Sequence, residues 1–297
     1  MAKKLMIFGG SGFVGGNMAK MAHNLGWKVH IADCFYRPGI DEAEWKTVDI
    51  TDRECVKKVI EEVNPNAVVN VAAVADIDKA ERDRELAWKV NVEGATNLAL
   101  GCAKQGIRYV FFSSDAVFSG KATMYTEEDL PDPINYYGRT KAEAEKAVLL
   151  VHPEAVVVRI SLVLGFPVTG GNAFFANLEK KLKEGSSVPC AVDEIRTPVD
   201  VLTLCECILE LCDSSFKGIL HIGATNSVNR YELAKKAAVL MGFDENLIIE
   251  QATQDAIPAR APRHKNGIIS VSKAQGILKT KLLDADETIR RAIRERL

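Results

Sequence analysis

The stretch "KLMIFGGSGFVGGNMA", residues 4 to 19, decides the fold. An apolar run of strand length stops at glycine, and Gly9, Gly12 and Gly15 then open an amphipathic segment of helical length. Glycines are needed at such a place for three reasons. The backbone turns tightly, main-chain N–H groups must approach a pyrophosphate, and the new helix must pack close to the strand. Phe13 and Val14, between the last two glycines, are read with them as part of the same cofactor-binding turn.

Outward from this turn, short apolar runs alternate with helical stretches. The runs are "KLMIF", "WKVHIAD", "WKTVDI", "NAVVNVAA", "RYVFFSS", "AVVVRISLV" and "GILHIG". Between them lie "GNMAKMAHNLG", "DRECVKKVIEEVNP", "RELAWKVNVEGATNLALGCAKQG" and "NYYGRTKAEAEKAVLLVHP". Parallel strands need crossover connections that cover both faces of a sheet, so the alternation predicts an α/β fold with a doubly wound parallel sheet. After Gly165 the rhythm weakens, and helices and loops follow without matching strands, apart from "GILHIG". The expected organisation is a dinucleotide-binding domain of residues 1–164 and 187–225. A smaller discontinuous substrate-binding domain, 165–186 and 226–297, would lie over the carboxyl edge of the sheet.

With 297 residues, 47% of them hydrophobic, the chain is long enough to bury a sizeable core. Its net charge of −2 gives no general pull toward nucleic acid or acidic membranes. The apolar run at the amino terminus is too short for a signal peptide or a membrane span, and a cytoplasmic location is expected. Seven cysteines are scattered through apolar segments without a C-x-x-C pair, and five histidines show no metal-binding spacing. They read as reduced core thiols, with no metal expected.

Asp33 ends the second apolar run in "VHIADCFYRPG", where an acid can accept hydrogen bonds from an adenosine ribose. That favours NAD, because a 2′-phosphate would meet a negative charge. Arg37 argues the other way, since a nearby arginine accommodates that phosphate, so NADP stays open.

In "NYYGRTKAEAEKAV", residues 135 to 148, Tyr137 and Lys141 fall four apart on one helical face. A free tyrosine titrates near pH ~10 and exchanges protons poorly at neutrality. A lysine cation beside it is expected to stabilise phenolate and bring the phenol into range of a carbonyl or alcohol. Upstream, "RYVFFSSDAVFSG" places Ser113 and Ser114 at a strand end, where a hydroxyl can donate to the oxygen that Tyr137 protonates. Asn91 in "WKVNVEGATNLAL" interrupts a helical pattern and either bonds locally or holds a water beside Lys141.

The motifs "GGSGFVG", "NVAAVADIDKAE", "NVEGATNLA", "SSDAVFSG", "YYGRTKAEAE" and "VVVRISLVLG", in this order, resemble an extended short-chain dehydrogenase/reductase with a Rossmann sheet. Within that superfamily the chain is most similar to the dTDP-4-dehydrorhamnose reductase family of sugar-nucleotide reductases. The resemblance implies an NAD(P)-dependent oxidoreductase. Tyr137 would be the acid/base, Lys141 would tune it and bind the nicotinamide ribose, Ser114 would orient the substrate carbonyl, and Asn91 would hold a relay water. Asp33 would meet the adenosine ribose, Asp49 and Ile50 the adenine, and Ala72 and Ala73 would line the cofactor cleft. Asp115 would stand with Ser114 at the substrate. The helices near 84–105 and 136–151 would pair in a homodimer.

Three departures from the reductase pattern lie where the sugar would sit: Ala116, Leu162 with Leu164, and Val74 with Ala75 stand where aromatic or Tyr-Thr residues are usual. In the second domain Arg196 and Arg263 are expected to hold the diphosphate of a nucleotide sugar through paired guanidinium hydrogen bonds. Two alternatives remain. One is an NAD-dependent epimerase or dehydratase that lends a hydride and takes it back, which the absence of a glutamate after Asp115 disfavours. The other is a dinucleotide-binding regulatory subunit like the β subunit of methionine adenosyltransferase.

Overall fold

A computed structural model describes residues 2–36, 39–252 and 260–295. The seven apolar runs become the seven strands of one parallel sheet. In chain order they include β1 (Lys4–Phe8), β2 (Lys28–Asp33), β3 (Glu44–Thr47), β4 (Ala67–Asn70), β5 (Arg108–Ser114) and β6 (Val156–Ile160). The short strands β7 (Leu162–Leu164), β8 (Val188–Ala191), β9 (Ile195–Arg196) and β10 (Pro198–Asp200) follow before the seventh, β11 (Gly218–Ile222). The order across the sheet is β3-β2-β1-β4-β5-β6-β11, every neighbouring pair parallel. It is a doubly wound Rossmann sheet whose order reverses between β1 and β4, which opens a crevice beyond their carboxyl ends.

Alternation within β1 shows why both faces are covered. Leu5 and Ile7 join one core with α1 (Phe13–Asn24), while Met6 and Phe8 join another with α2 (Arg53–Val63). Next come α3 (Ile77–Arg82) and α4 (Arg84–Trp88), a π-helical turn over Lys89–Gly94, α5 (Ala95–Gln105), α6 (Tyr136–Val151), α7 (Phe174–Lys183) and α8 (Val201–Cys212). α1 and α8 pack on the first face, α2, α5 and α6 on the second. A fully buried leucine or isoleucine contributes roughly 1.5–3 kcal/mol by leaving water, so each face is a substantial anchor for the sheet.

A third core lies apart from the sheet. Phe175, Leu178 and Leu182 of α7 meet Leu233 and Ala237 of α9 (Arg230–Leu240) and Ile289 of α10 (Ala285–Arg294). The region after Gly165, which reads as strandless, carries β8 to β10 together with β12 (Val228–Asn229), β13 (Ile248–Gln251) and β14 (Asn266–Gly267), and β7 lies just before it. They form small sheets β10-β7, β12-β9-β14 and β13-β8. At two to four residues such strands are too short to show an alternation, and their pairing partners are distant in sequence. Leu164 already belongs to the third core, whereas α8 belongs to the first.

All seven cysteines are free. Cys34, expected in the core, is exposed at the end of β2. No helix among the described residues is long and apolar enough to cross a membrane.

Candidate active site

The site forms where β1, β2, β4 and β5 end. Gly9 has φ +87°, and a Cβ on it would lie 2.6 Å from the Ala72 nitrogen. A Cβ on Gly15 would run into the Gly9 carbonyl oxygen. Only glycine lets the turn sit this close to β4 and the helix to the turn. α1 begins at Phe13 with Gly12 as its N-cap, so no side chain caps the first N–H groups and no acid stands in the first turn. Such a helix start suits an anionic pyrophosphate.

Asp33 lies at the rim of this turn, and its Oδ2 accepts from the backbone N–H (3.0 Å) and hydroxyl (2.6 Å) of Ser11. Ser11 has no part in the glycine-string reading, and it ties the acid to the turn. Arg37 lies outside the described residues. Asp49 accepts from the N–H and hydroxyl of Thr51, Ile50 is buried against Gly94, and Ala73 is half-buried.

Tyr137 and Lys141 sit in the first turns of α6, which starts where Asn135 accepts from the Gly138 N–H at 2.8 Å. A Cβ on Gly138 would run into the Ala116 carbonyl oxygen, so the helix backbone lies directly on the segment after Ser114. Ser114 stands close enough to the Tyr137 phenol to lower its pKa. Its hydroxyl donates to Asp115 Oδ1 at 3.1 Å.

The electrostatics depart from expectation. Burial pushes the Tyr137 phenol up to about 12, with Asp115 adding to the shift and Ser114 opposing it. Burial pulls the Lys141 ammonium down to about 7 against the pull of Glu145. Dehydration of the site therefore holds the phenol in its acid form. The Lys141 ammonium lies 4.3 Å over the Phe111 ring.

Glu145, one helical turn beyond Lys141, is buried with Arg159 of β6 in a two-armed pair, Oε1 to Nε at 2.9 Å and Oε2 to Nη2 at 2.7 Å. The Ser113 hydroxyl donates to the same carboxylate. Its spacing from Lys141 was readable, but its partner, fourteen residues away on a strand, was not.

Asn91 lies in the π-helical turn with its amide engaged. Its Oδ1 accepts from the Val74 N–H at 2.8 Å, and its Nδ2 donates to Val74 O at 3.3 Å and Thr140 Oγ1 at 2.9 Å. Thr140 in turn donates to the Tyr137 carbonyl, so the Asn91 amide ties the π-helical turn to Val74 and to the start of α6, partners seventeen and forty-nine residues away in the sequence rather than local ones.

Asp115 is buried between elements. Burial would raise its carboxyl, but His264, with Nε2 at 3.1 Å, Arg196 and the Ser161 hydroxyl hold it at about 2.

Neither arginine expected at a diphosphate is free to bind one. Arg196 is 7% exposed, and its guanidinium donates to the carbonyls of Ile195, His264 and Lys265. Arg263 grips both oxygens of Asp78 at 3.2 and 2.9 Å. Unpaired carbonyls and acids beside a guanidinium claim it before a ligand can.

Open cationic chemistry lies elsewhere. A cavity of about 200 Å³ is lined by Arg230, Arg260, Lys181, Phe174 and Asn177 with β8. A second, about 420 Å³, shares Arg230, Phe174 and Asn177 and extends to Phe13, Val14, Leu162 and Val163. Neither is lined by Ser114 or Tyr137, but the second begins at the glycine turn. Arg230 lies over Phe174 at 4.5 Å and 3.8 Å from Glu194. Nothing in its surroundings, "SVNRYEL", marked it in the sequence.

Comparisons agree with this geometry. The chain is 32% identical over 234 residues to the probable low-salt glycan biosynthesis reductase Agl14 of Haloferax volcanii, covering 78% of each. It is 29% identical to methionine adenosyltransferase 2 subunit beta of Rattus norvegicus, over 92% of this chain and 82% of that one. The crystal structure of dTDP-4-dehydrorhamnose reductase from Bacillus anthracis in complex with NADP matches with a TM-score of 0.88 and 28% identity, covering 98% and 99%. The family model for the RmlD substrate binding domain matches residues 3–297, and the chain belongs to that family.

Proposed function

We propose that the protein is an NAD(P)-dependent reductase acting on a keto group carried by a nucleotide-activated sugar. What supports it is that Ser114 ends β5 while Tyr137 and Lys141 open α6, whose backbone packs against Ala116, beside an uncapped glycine turn. In this reading Gly9, Gly12, Phe13, Val14 and Gly15 hold the pyrophosphate, and Asp33 the adenosine ribose. Asp49, Ile50, Ala72 and Ala73 line the cleft. The bound dinucleotide supplies the hydride.

Ser114 donates to the carbonyl oxygen and Tyr137 gives it a proton as it gains charge. A phenol held near 12 is fully protonated at neutral pH, ready to act as an acid. Lys141, while cationic, favours the phenolate left behind. Asp115 stays charged beside Ser114, which turns its single O–H from that carboxylate to the carbonyl oxygen when substrate binds.

The nucleotide end fits the cleft of Arg230, Arg260 and Lys181, where an aromatic ring and three cations suit a base and a diphosphate. This part of the reading assigns residues 1–164 and 187–225 to the dinucleotide, apart from β8 and Glu194 in the lining of that cleft, and the remainder to the sugar nucleotide. The protein works in the cytoplasm as a homodimer through the outer faces of α5 and α6, where Leu150 is 82% exposed. A monomeric mass by light scattering would remove the dimer.

The test is loss of NADH or NADPH absorbance as the protein meets dTDP-4-dehydrorhamnose and a panel of other keto sugar nucleotides. Oxidation with one of them is expected. Dinucleotide binding without oxidation, together with one stoichiometric partner in a pulldown, would move the protein to the regulatory reading instead.

A further inference from the structure

The segment 260–267, in which sequence reasoning sought a diphosphate site, crosses the mouth of the active site as a strap. Pro262 O accepts from Asn135 Nδ2 at 3.0 Å, and the same Asn135 caps α6 two residues before Tyr137. Arg263 holds Asp78 of α3 with two hydrogen bonds, and the Ala261 N–H donates to that carboxylate at 2.9 Å. One turn along α3, Glu81 accepts from the Tyr136 N–H at 2.9 Å. Arg84 binds Glu81 and lies 5.0 Å over the Tyr136 ring. The path therefore closes on itself: α3, Arg263, Pro262, Asn135, Tyr136, and back to α3. On its other side the strap sets His264 against Asp115, next to Ser114.

We propose that this closed ring of hydrogen bonds positions Tyr137, and that Arg263, Asp78, Asn135 and Glu81 are positioning residues for proton transfer rather than ligands of substrate. A helix start held from both sides cannot tilt, and its second residue is the phenol. Orientation of this kind matters because a misplacement of about 1 Å at a reacting group lowers rates by around 100-fold. The two-armed grip of Arg263 makes it the sensitive member, since lysine can supply only one arm in that geometry. The proposal rests on the reading of Tyr137 as the proton donor.

The test uses R263M and R263K in the full chain. Three quantities are read: steady-state kinetics with whichever of NADH or NADPH the wild type oxidises, dinucleotide affinity by fluorescence, and amide hydrogen exchange at Tyr136 and Gly138. R263M is expected to lower kcat about 10-fold or more. KM for the sugar nucleotide and dinucleotide affinity should stay within about 2-fold, while both amides exchange faster; R263K should fall between. An unchanged kcat overturns the ring. So does a raised KM with kcat kept, which would make Arg263 a substrate contact. If the wild type reduces nothing in the panel, the reaction reading fails by itself. The ring is then judged by the amides, and unaltered exchange in R263M overturns it.

Discussion

Two groups of arginines lie over the same sheet edge and do opposite things. Arg196 and Arg263 are surrounded by carbonyls and acids that take their donors, while Arg230 and Arg260 line an open cleft. Residue type is the same for both pairs. What separates them is how tightly the fold engages them, which a sequence does not print: Arg196 and Arg263 donate hydrogen bonds within it, whereas Arg230 and Arg260 meet Glu194 and Asp78 at 3.8 and 4.0 Å. A guanidinium becomes a ligand-binding group only where the chain leaves its donors unmet.

The contrast between a reacting centre fixed by internal bonds and a cleft left open for substrate can be broken by substitution. The largest effect is expected at the centre. Y137F should lower kcat by roughly 10²–10⁴-fold with dinucleotide binding intact, because only the proton donor is removed. Near-normal turnover would take the phenol out of the mechanism. In the cleft, R230M should raise KM for the sugar nucleotide about 10- to 100-fold and leave kcat nearly alone, as for a charged hydrogen bond worth ~1.5–3 kcal/mol. A fall in kcat at constant KM would place Arg230 with the centre.

Lys141 sharpens the same contrast through pH. Its folded pKa, about 7, lies below that of an unfolded lysine, so between the two the unfolded chain binds the extra proton. The burial cost is complete below about 7 and fades as pH rises toward ~10.4. K141M should therefore stabilise the protein in urea titrations most at pH 6 and least near pH 10; a gain independent of pH would show that the ammonium is not buried in solution. Reduction should also slow as pH rises through about 7, and K141M should flatten that slope. The smallest effect is expected at the rim, where D33N should shift the NADPH-to-NADH preference several-fold by removing the charge that opposes a 2′-phosphate.

Much of the fold was legible because the periodicity was strong. Each main-sheet strand was an apolar run bounded by turn residues, and the Gly9, Gly12 and Gly15 spacing set the first crossover. The seven small strands of the second layer were not legible, since two to four residues carry no period and their pairings join distant segments, as β8 joins β13. At the site, the reacting set was drawn from local spacing and strand ends, which survive in one dimension. The raised pKa of the tyrosine was not legible because burial is a three-dimensional quantity, and burial is its main cause here. The Glu145–Arg159 pair was hidden for the same reason. Removing one member would leave a buried charge at a cost of about 3–5 kcal/mol.

Gly138 has a consequence of another kind. With no room for even one methyl group between α6 and the Ala116 carbonyl, the spacing of the phenol from the Ser114 strand is set by main chain against main chain. Side-chain rotamers cannot absorb a change there. Any larger residue at this position requires the turn after Ser114 to move, so the two segments can change only together.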